Sequence, residues 1–168
     1  MIDKTDIQQT IKRLDQEYNN HIEDPDLPIF YSKLAVLEFS GWIEQSFDTI
    51  MYEYLDLHIV NEDSKNIFKS FIKGNYGFKY ETNTYKTFSI VLGANNWENI
   101  LDSIPFSDIQ NFKDILNRYC SIRNSAAHTS IKGSTATYIA PSQVIVDFNR
   151  FLPAISIIED KTQKLPLG

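Results

Sequence analysis

The chain has very little cysteine: one residue, Cys120, in 168 positions. Neither a disulfide framework nor a cysteine-built zinc site can be assembled from it within one chain, and a reducing, cytoplasmic setting is the simplest expectation. No stretch approaches the roughly eighteen uninterrupted apolar residues of a membrane span, and residues 1–30 lack the basic-then-apolar order of a secretion signal, so no membrane partner is expected. Glycine and proline number only six each, and no Pro/Gly/Ser-rich linker or internal repeat divides the chain, which reads as one domain over residues 1–168. The three histidines, His21, His58 and His128, are far apart and lack the i,i+4 spacing of metal ligands. Also missing are a glycine-rich phosphate loop, a G-x-S-x-G elbow, an HExxH helix and an EF-hand loop. No cofactor and no metal is therefore expected.

Basic residues are scarce too, and unevenly placed. The net charge is −6, but residues 1–62 carry 4 Lys and Arg against 13 Asp and Glu, whereas the remainder carries 12 against 9. That balance excludes a generic nucleic-acid coating protein, whose binding rests on phosphate neutralisation, and directs any anionic partner to the second part of the chain.

What the chain has in quantity is apolar material at helical spacing: hydrophobic residues make up 42%, with eleven Phe and nine Tyr. Thr5 and Gln8 form a capping-box pattern, after which Ile7, Ile11, Leu14, Tyr18 and Ile22 predict a helix over 6–23 that ends at Asp24-Pro25-Asp26. From Ser32 to Ile59, Leu37, Ile43, Phe47, Ile50, Met51, Tyr54 and Leu55 predict a second, long helix that crosses the whole domain. A short helix over 64–73 stops at Gly74, and weaker pieces follow the Gly74-Asn75-Tyr76-Gly77 turn near 85–93 and 97–103. Ser107 and Gln110 repeat the capping box, and Phe112, Ile115, Leu116, Tyr119, Ile122 and Ala126 carry a helix to His128. A final helix over Ser142–Ile158 contains Pro153, which is expected to kink it. A short extended piece is expected at 135–139. The fold class is all-α: an up-and-down bundle of four main helices with short helical insertions.

One constellation carries chemical potential. Arg123-Asn124-Ser125-Ala126-Ala127-His128 ends the penultimate long helix, with Asn124 and His128 an i,i+4 pair off the core face and Arg123 between the two directions. On the second helix Ser40, Glu44 and Asp48 make a polar stripe beside the apolar one. Gly41 adjoins it, where a mid-helix glycine suggests that another element packs closely. Arg118, Lys132 and Arg150 read as solvated surface charges, Cys120 as a small buried hydrophobe, and Trp42 and Trp97 as core.

At these residues the chain resembles the HEPN superfamily. Its ribonuclease members are all-α bundles with an arginine, often followed by a polar residue, and then a histidine after four to six positions. The match here is Arg123, Asn124 and His128 with four residues between arginine and histidine. The resemblance implies a metal-independent endoribonuclease that cleaves RNA by 2'-hydroxyl attack to a 2',3'-cyclic phosphate. It implies a homodimer with a composite active site, and a place as a toxin with a cognate antitoxin protein or as a phage-defence factor. Many members carry an acidic residue on the second helix near the Arg/His pair; Glu44 matches it, with Asp48 as the alternative. The implied catalytic set is thus Arg123, His128, Asn124 and Glu44. Some members with a nucleotide-transferase partner have a tyrosine two residues after the histidine; His128-Thr129-Ser130 lacks it. The alternative is a non-catalytic HEPN-like module that binds protein or RNA.

Overall fold

The second helix is apolar around most of its circumference, and a helix of that kind must be covered on more than one side. In the computed structural model, which describes residues 1–129 and 138–166, it is the central element. The described residues form seven α-helices and no strand: α1 (Thr5–Asn20), α2 (Leu27–His58), α3 (Glu62–Gly74), α4 (Tyr85–Leu92), α5 (Ala94–Asp102), α6 (Phe106–His128) and α7 (Pro141–Gln163). A single π-helical turn, Tyr80–Thr84, leads into α4. Helix α2 packs against α1, α6 and α7, and its C-terminal part meets α3 and α4. Four long helices thus form the bundle, and the three short ones cover one end of it. The piece expected at 135–139 lies mostly outside the described residues, as does Lys132.

Aromatic rings fill the centre. Phe39 of α2, fully buried, meets Tyr119 of α6 edge-on at 4.8 Å and also Phe148 and Phe151 of α7. Phe151 stacks on Phe112 at 5.0 Å, Phe47 meets Phe88 edge-on at 5.4 Å, and Phe88 stacks on Trp97 at 4.6 Å. Each such pair adds about 0.5–1.5 kcal/mol to simple burial, and the run of rings links α2, α6 and α7 to the short helices.

Helix starts differ from those expected, for identifiable reasons. Thr5 caps nothing; Asp3 Oδ1 accepts from the Thr5 and Asp6 amides at 2.8 and 3.3 Å, since a carboxylate two residues upstream reaches the same orphan donors with a full charge. Ser107 is likewise not a cap: α6 begins after Pro105, and Ser107 donates instead to Asp108. Helix α2 starts at Leu27 rather than Ser32, because Pro28 occupies the first turn, where its missing amide costs nothing, and Asp24 Oδ1 accepts from the Asp26 and Leu27 amides at 2.9 Å each. Pro153 does not end α7. It lies on the exposed side, where the carbonyl deprived of its helical donor is not shut away from solvent, and the helix runs on to Gln163.

Arg118 is exposed, as expected of a surface charge, but it is also paired. Its Nη2 lies 2.7 Å from Oδ1 of Asp147, a fully buried carboxylate on α7 that also accepts from the Tyr119 hydroxyl at 2.9 Å and the Gln143 amide at 3.2 Å. A buried carboxylate needs several such donors to offset lost hydration. Arg150, as expected, is exposed, and it donates to Asn111 Oδ1 at 2.6 Å.

Candidate functional site

The last two turns of α6 carry the Arg/His constellation, and both neighbours that fix them come from α2. Lys33 Nζ donates to the Thr129 carbonyl at 2.5 Å, placing a cation at the negative end of α6, while the Thr129 hydroxyl closes back on the Ser125 carbonyl at 2.7 Å. One turn deeper, Arg123 Nη2 lies 3.3 Å from Glu44 Oε2, and Arg123 Nη1 lies 3.4 Å from Asn124 Oδ1. The structure therefore joins α6 to α2 through Arg123 and Glu44, and Asn124 sits against the same guanidinium.

His128 stands apart. Five residues on an α-helix turn it about 140° away from Arg123 and about 7.5 Å along the axis, so within one chain the two side chains address different directions. Asn124 and His128, an i,i+4 pair, share the outward stripe with Ser121, and all three are exposed. The site is accordingly in two parts: a Glu44 and Arg123 pair turned toward the bundle's short helices, and an Asn124 and His128 pair turned to solvent.

The side chains of Arg123 and Glu44 are 38% and 31% exposed, a setting in which an ion pair contributes less than about 1 kcal/mol. A guanidinium carries five N–H donors, and this one uses only two on described residues, so most of its capacity remains for an incoming anion. Arg123 and Glu44 stand at the edge of a cavity of about 200 Å³. Its floor is apolar, from Phe47, Met51, Ile72 and Phe88, with the buried Thr87 beside them, and its rim carries Asp48, Lys73, Asn75 and Tyr76. Asp48 is half-buried, and burial, reinforced by the neighbouring charge of Glu44, pushes its carboxyl above the usual carboxylate range. The same carboxylate adds to the burial that raises the Tyr52 hydroxyl.

The outer lip is a turn held by side-chain amides. Asn83 Nδ2 donates to the Tyr76 carbonyl at 2.8 Å and to Asn75 Oδ1 at 3.3 Å, and Asn75 in turn donates to Thr87. Gly77, at φ +91°, adopts a left-handed conformation that a side chain would strain, and this lets the chain double back over the cavity. Thr84 fastens the π-helical turn by donating to the Phe78 carbonyl at 2.9 Å.

The rest of the polar stripe on α2 behaves differently. Ser40 is fully buried, and a methyl group added at Gly41 would meet no atom within 4 Å, so among the described residues no element packs closely there. Gly41 lines instead an open groove of about 650 Å³ between α1 and α2. Trp42 and Trp97 are core, as expected, and Cys120 is half-buried against it. The rim residues from the α3–α4 segment belong to no motif in the sequence. Their only signal was the Gly74-Asn75-Tyr76-Gly77 turn, which predicted a reversal without saying what it faces.

No family model matches the chain, and neither a curated protein nor a solved structure matches it. Among the described residues no helix is long and apolar enough to cross a membrane.

Proposed function

We propose that this protein is a metal-independent endoribonuclease of the HEPN type, acting in the cytoplasm as a toxin or defence factor. The observation that supports this reading best is the 3.3 Å approach of Glu44 to Arg123, which holds a guanidinium beside a cavity five residues before an exposed His128. RNA brings its own nucleophile. The 2'-oxygen loses a proton to a base and forms a bond to phosphorus; the bond from phosphorus to the 5'-oxygen breaks, and an acid protonates the departing oxygen. A fixed guanidinium suits the crowded anionic phosphorane between those steps, and no metal is required by the chemistry. Histidine is the side chain that exchanges protons most readily near neutral pH, so His128 takes the proton-transfer role and Asn124 orients it or the phosphate.

One copy offers one histidine, while the reaction uses a base and an acid. A two-fold dimer that apposes the exposed Asn124 and His128 stripes of two α6 helices would supply both, and the small Ser121, Ser125 and Ala127 on the same outward side allow close approach. Light scattering at micromolar concentration checks this; a strict monomer removes the composite site. The test of the activity itself is incubation of the purified protein with single-stranded RNA in EDTA. The expected products end in a 2',3'-cyclic phosphate and a 5'-hydroxyl, and DNA, which lacks the attacking hydroxyl, resists.

The acidic balance of residues 1–62 favours a second reading, a non-catalytic HEPN-like module that binds a protein, as an antitoxin or defence accessory. Absence of cleavage on several structured and unstructured RNAs would select it.

A further inference from the structure

We infer that the cavity beside Arg123 is a nucleobase subsite that selects guanine through Asp48. The inference deepens the ribonuclease reading and rests on it for its biological meaning, although the binding it asserts can be measured separately. Size comes first. At about 200 Å³ the cavity is below the usual 300–1,000 Å³ range of sites that enclose a whole drug-sized ligand, so it suits one planar ring system with its sugar and phosphate left outside. The surfaces agree with that division. Phe47 and Phe88 are buried core rings that only close the floor with apolar atoms, and the exposed ring at the lip is Tyr76, of the kind on which unstacked bases rest, while Arg123 and Lys73 add two cations to the lining, where a phosphate would stand.

The choice among bases follows from hydrogen-bond chemistry. Of the polar groups around the cavity, Asn75 is occupied with Thr87 and Asn83, and Thr84 with the Phe78 carbonyl. Glu44 is taken by Arg123. Asp48 alone among the lining carboxylates has neither a hydrogen bond nor an ion pair with any described residue, although it is half-buried and lines the cavity. An ionised carboxylate offers two acceptors side by side and no donor. Guanine is the base whose Watson–Crick edge presents two adjacent donors, N1–H and the 2-amino group. Adenine, cytosine and uracil each present a single donor beside acceptors, which would meet the second carboxylate oxygen lone pair to lone pair.

The experiment is a calorimetric or NMR titration of the full chain with the four nucleoside 3'-monophosphates and with 3'-inosine monophosphate, which lacks only the 2-amino group. The guanine nucleotide is expected to bind at least tenfold more tightly than the other three, and inosine to lose most of that advantage. Asp48→Ala is expected to level all five. Equal affinities in the wild-type protein, no binding of any nucleotide, or a guanine preference that survives Asp48→Ala or is matched by inosine would each overturn the subsite. The inosine arm needs no variant and so decides the matter even if Asp48→Ala folds poorly. Guanine-selective binding without RNA cleavage upholds the subsite and removes the ribonuclease reading, whereas cleavage with no base preference in either assay does the reverse.

Discussion

Two arginines five residues apart on α6 have opposite uses. Arg118 meets Asp147, which is fully buried and takes three donors from Arg118, Tyr119 and Gln143. Arg123 meets Glu44, whose side chain is 31% exposed and has one donor. The first arrangement is closed. Both oxygens of Asp147 are occupied, and burial with the adjacent negative charge drives the Tyr119 hydroxyl far above its usual range, so it stays a neutral donor. The second is open, with a weak pair, spare donors and a cavity alongside. What differs is the partner's depth, not the arginine: a buried carboxylate commits its cation to structure, while a half-exposed one positions it and leaves it available.

The comparison breaks most visibly in activity. Arg123→Ala or His128→Ala should lower RNA cleavage by about 10²–10⁴-fold, the range for losing an electrostatic stabiliser or a proton-transfer group. Arg123→Lys should recover only part of it, because a single ammonium cannot present a planar fork to phosphate oxygens. Product analysis in EDTA on proteins shown by circular dichroism to be folded gives the answer. Cleavage that persists in folded His128→Ala would end the catalytic assignment.

Stability should show the opposite ranking. Asp147→Ala strands the buried Tyr119 hydroxyl without its acceptor, while Arg118, 41% exposed, turns to water, and should cost about 1–3 kcal/mol, as leaving a buried donor unpaired does. Glu44→Ala, at a pair open to water, should cost less than about 1 kcal/mol. Urea denaturation of the two variants measures both, and equal losses would mean that the Glu44 pair is as structural as the Asp147 network.

The same contrast explains what the sequence made legible. The long helices could be read because Ile7, Ile11 and Leu14, or Phe112, Ile115 and Tyr119, recur at helical spacing and turn out buried. Their boundaries could not, because Asp3, Asp24 and Pro28 act from positions that simple capping patterns do not weigh. Arg118 and Arg123 look alike in sequence; the difference lies in Asp147, about thirty positions away along the chain. A signal did exist. Asp147 falls on the apolar stripe of Val144, Phe148, Phe151 and Ala154, and a carboxylate at such a position must have partners. Glu44 opposite Arg123 was within reach because a regular stripe on one helix and a motif on another were compared with a family's pattern. The cavity was not, since its rim comes from a segment with no motif and its shape exists only once α3 and α4 fold over α2.

The smallest effect sharpens the open side of the comparison and turns on the sign of one pKa shift. Asp48 neighbours Glu44 and Tyr52 on its own helix and shares the cavity lining with Arg123 from α6 and Lys73 from α3, and burial is the leading cause that raises its carboxyl above the reference value of 3.8. A carboxyl raised on folding is favoured in its protonated form, so its contribution to stability is fully present below the unfolded value and is lost as pH rises through the folded one. Wherever Asp48 is ionised, the folded protein therefore holds that charge less comfortably than the unfolded chain does. Asp48→Asn, which keeps the shape and removes the charge, should raise the melting temperature slightly at pH 7, and the gain should shrink to nothing as pH falls below about 3.8. Melting curves of both proteins across that range decide it. A lower melting temperature for Asp48→Asn at pH 7 would mean that Arg123 and Lys73 outweigh burial, making Asp48 part of a closed network like that of Asp147 and unavailable to a ligand.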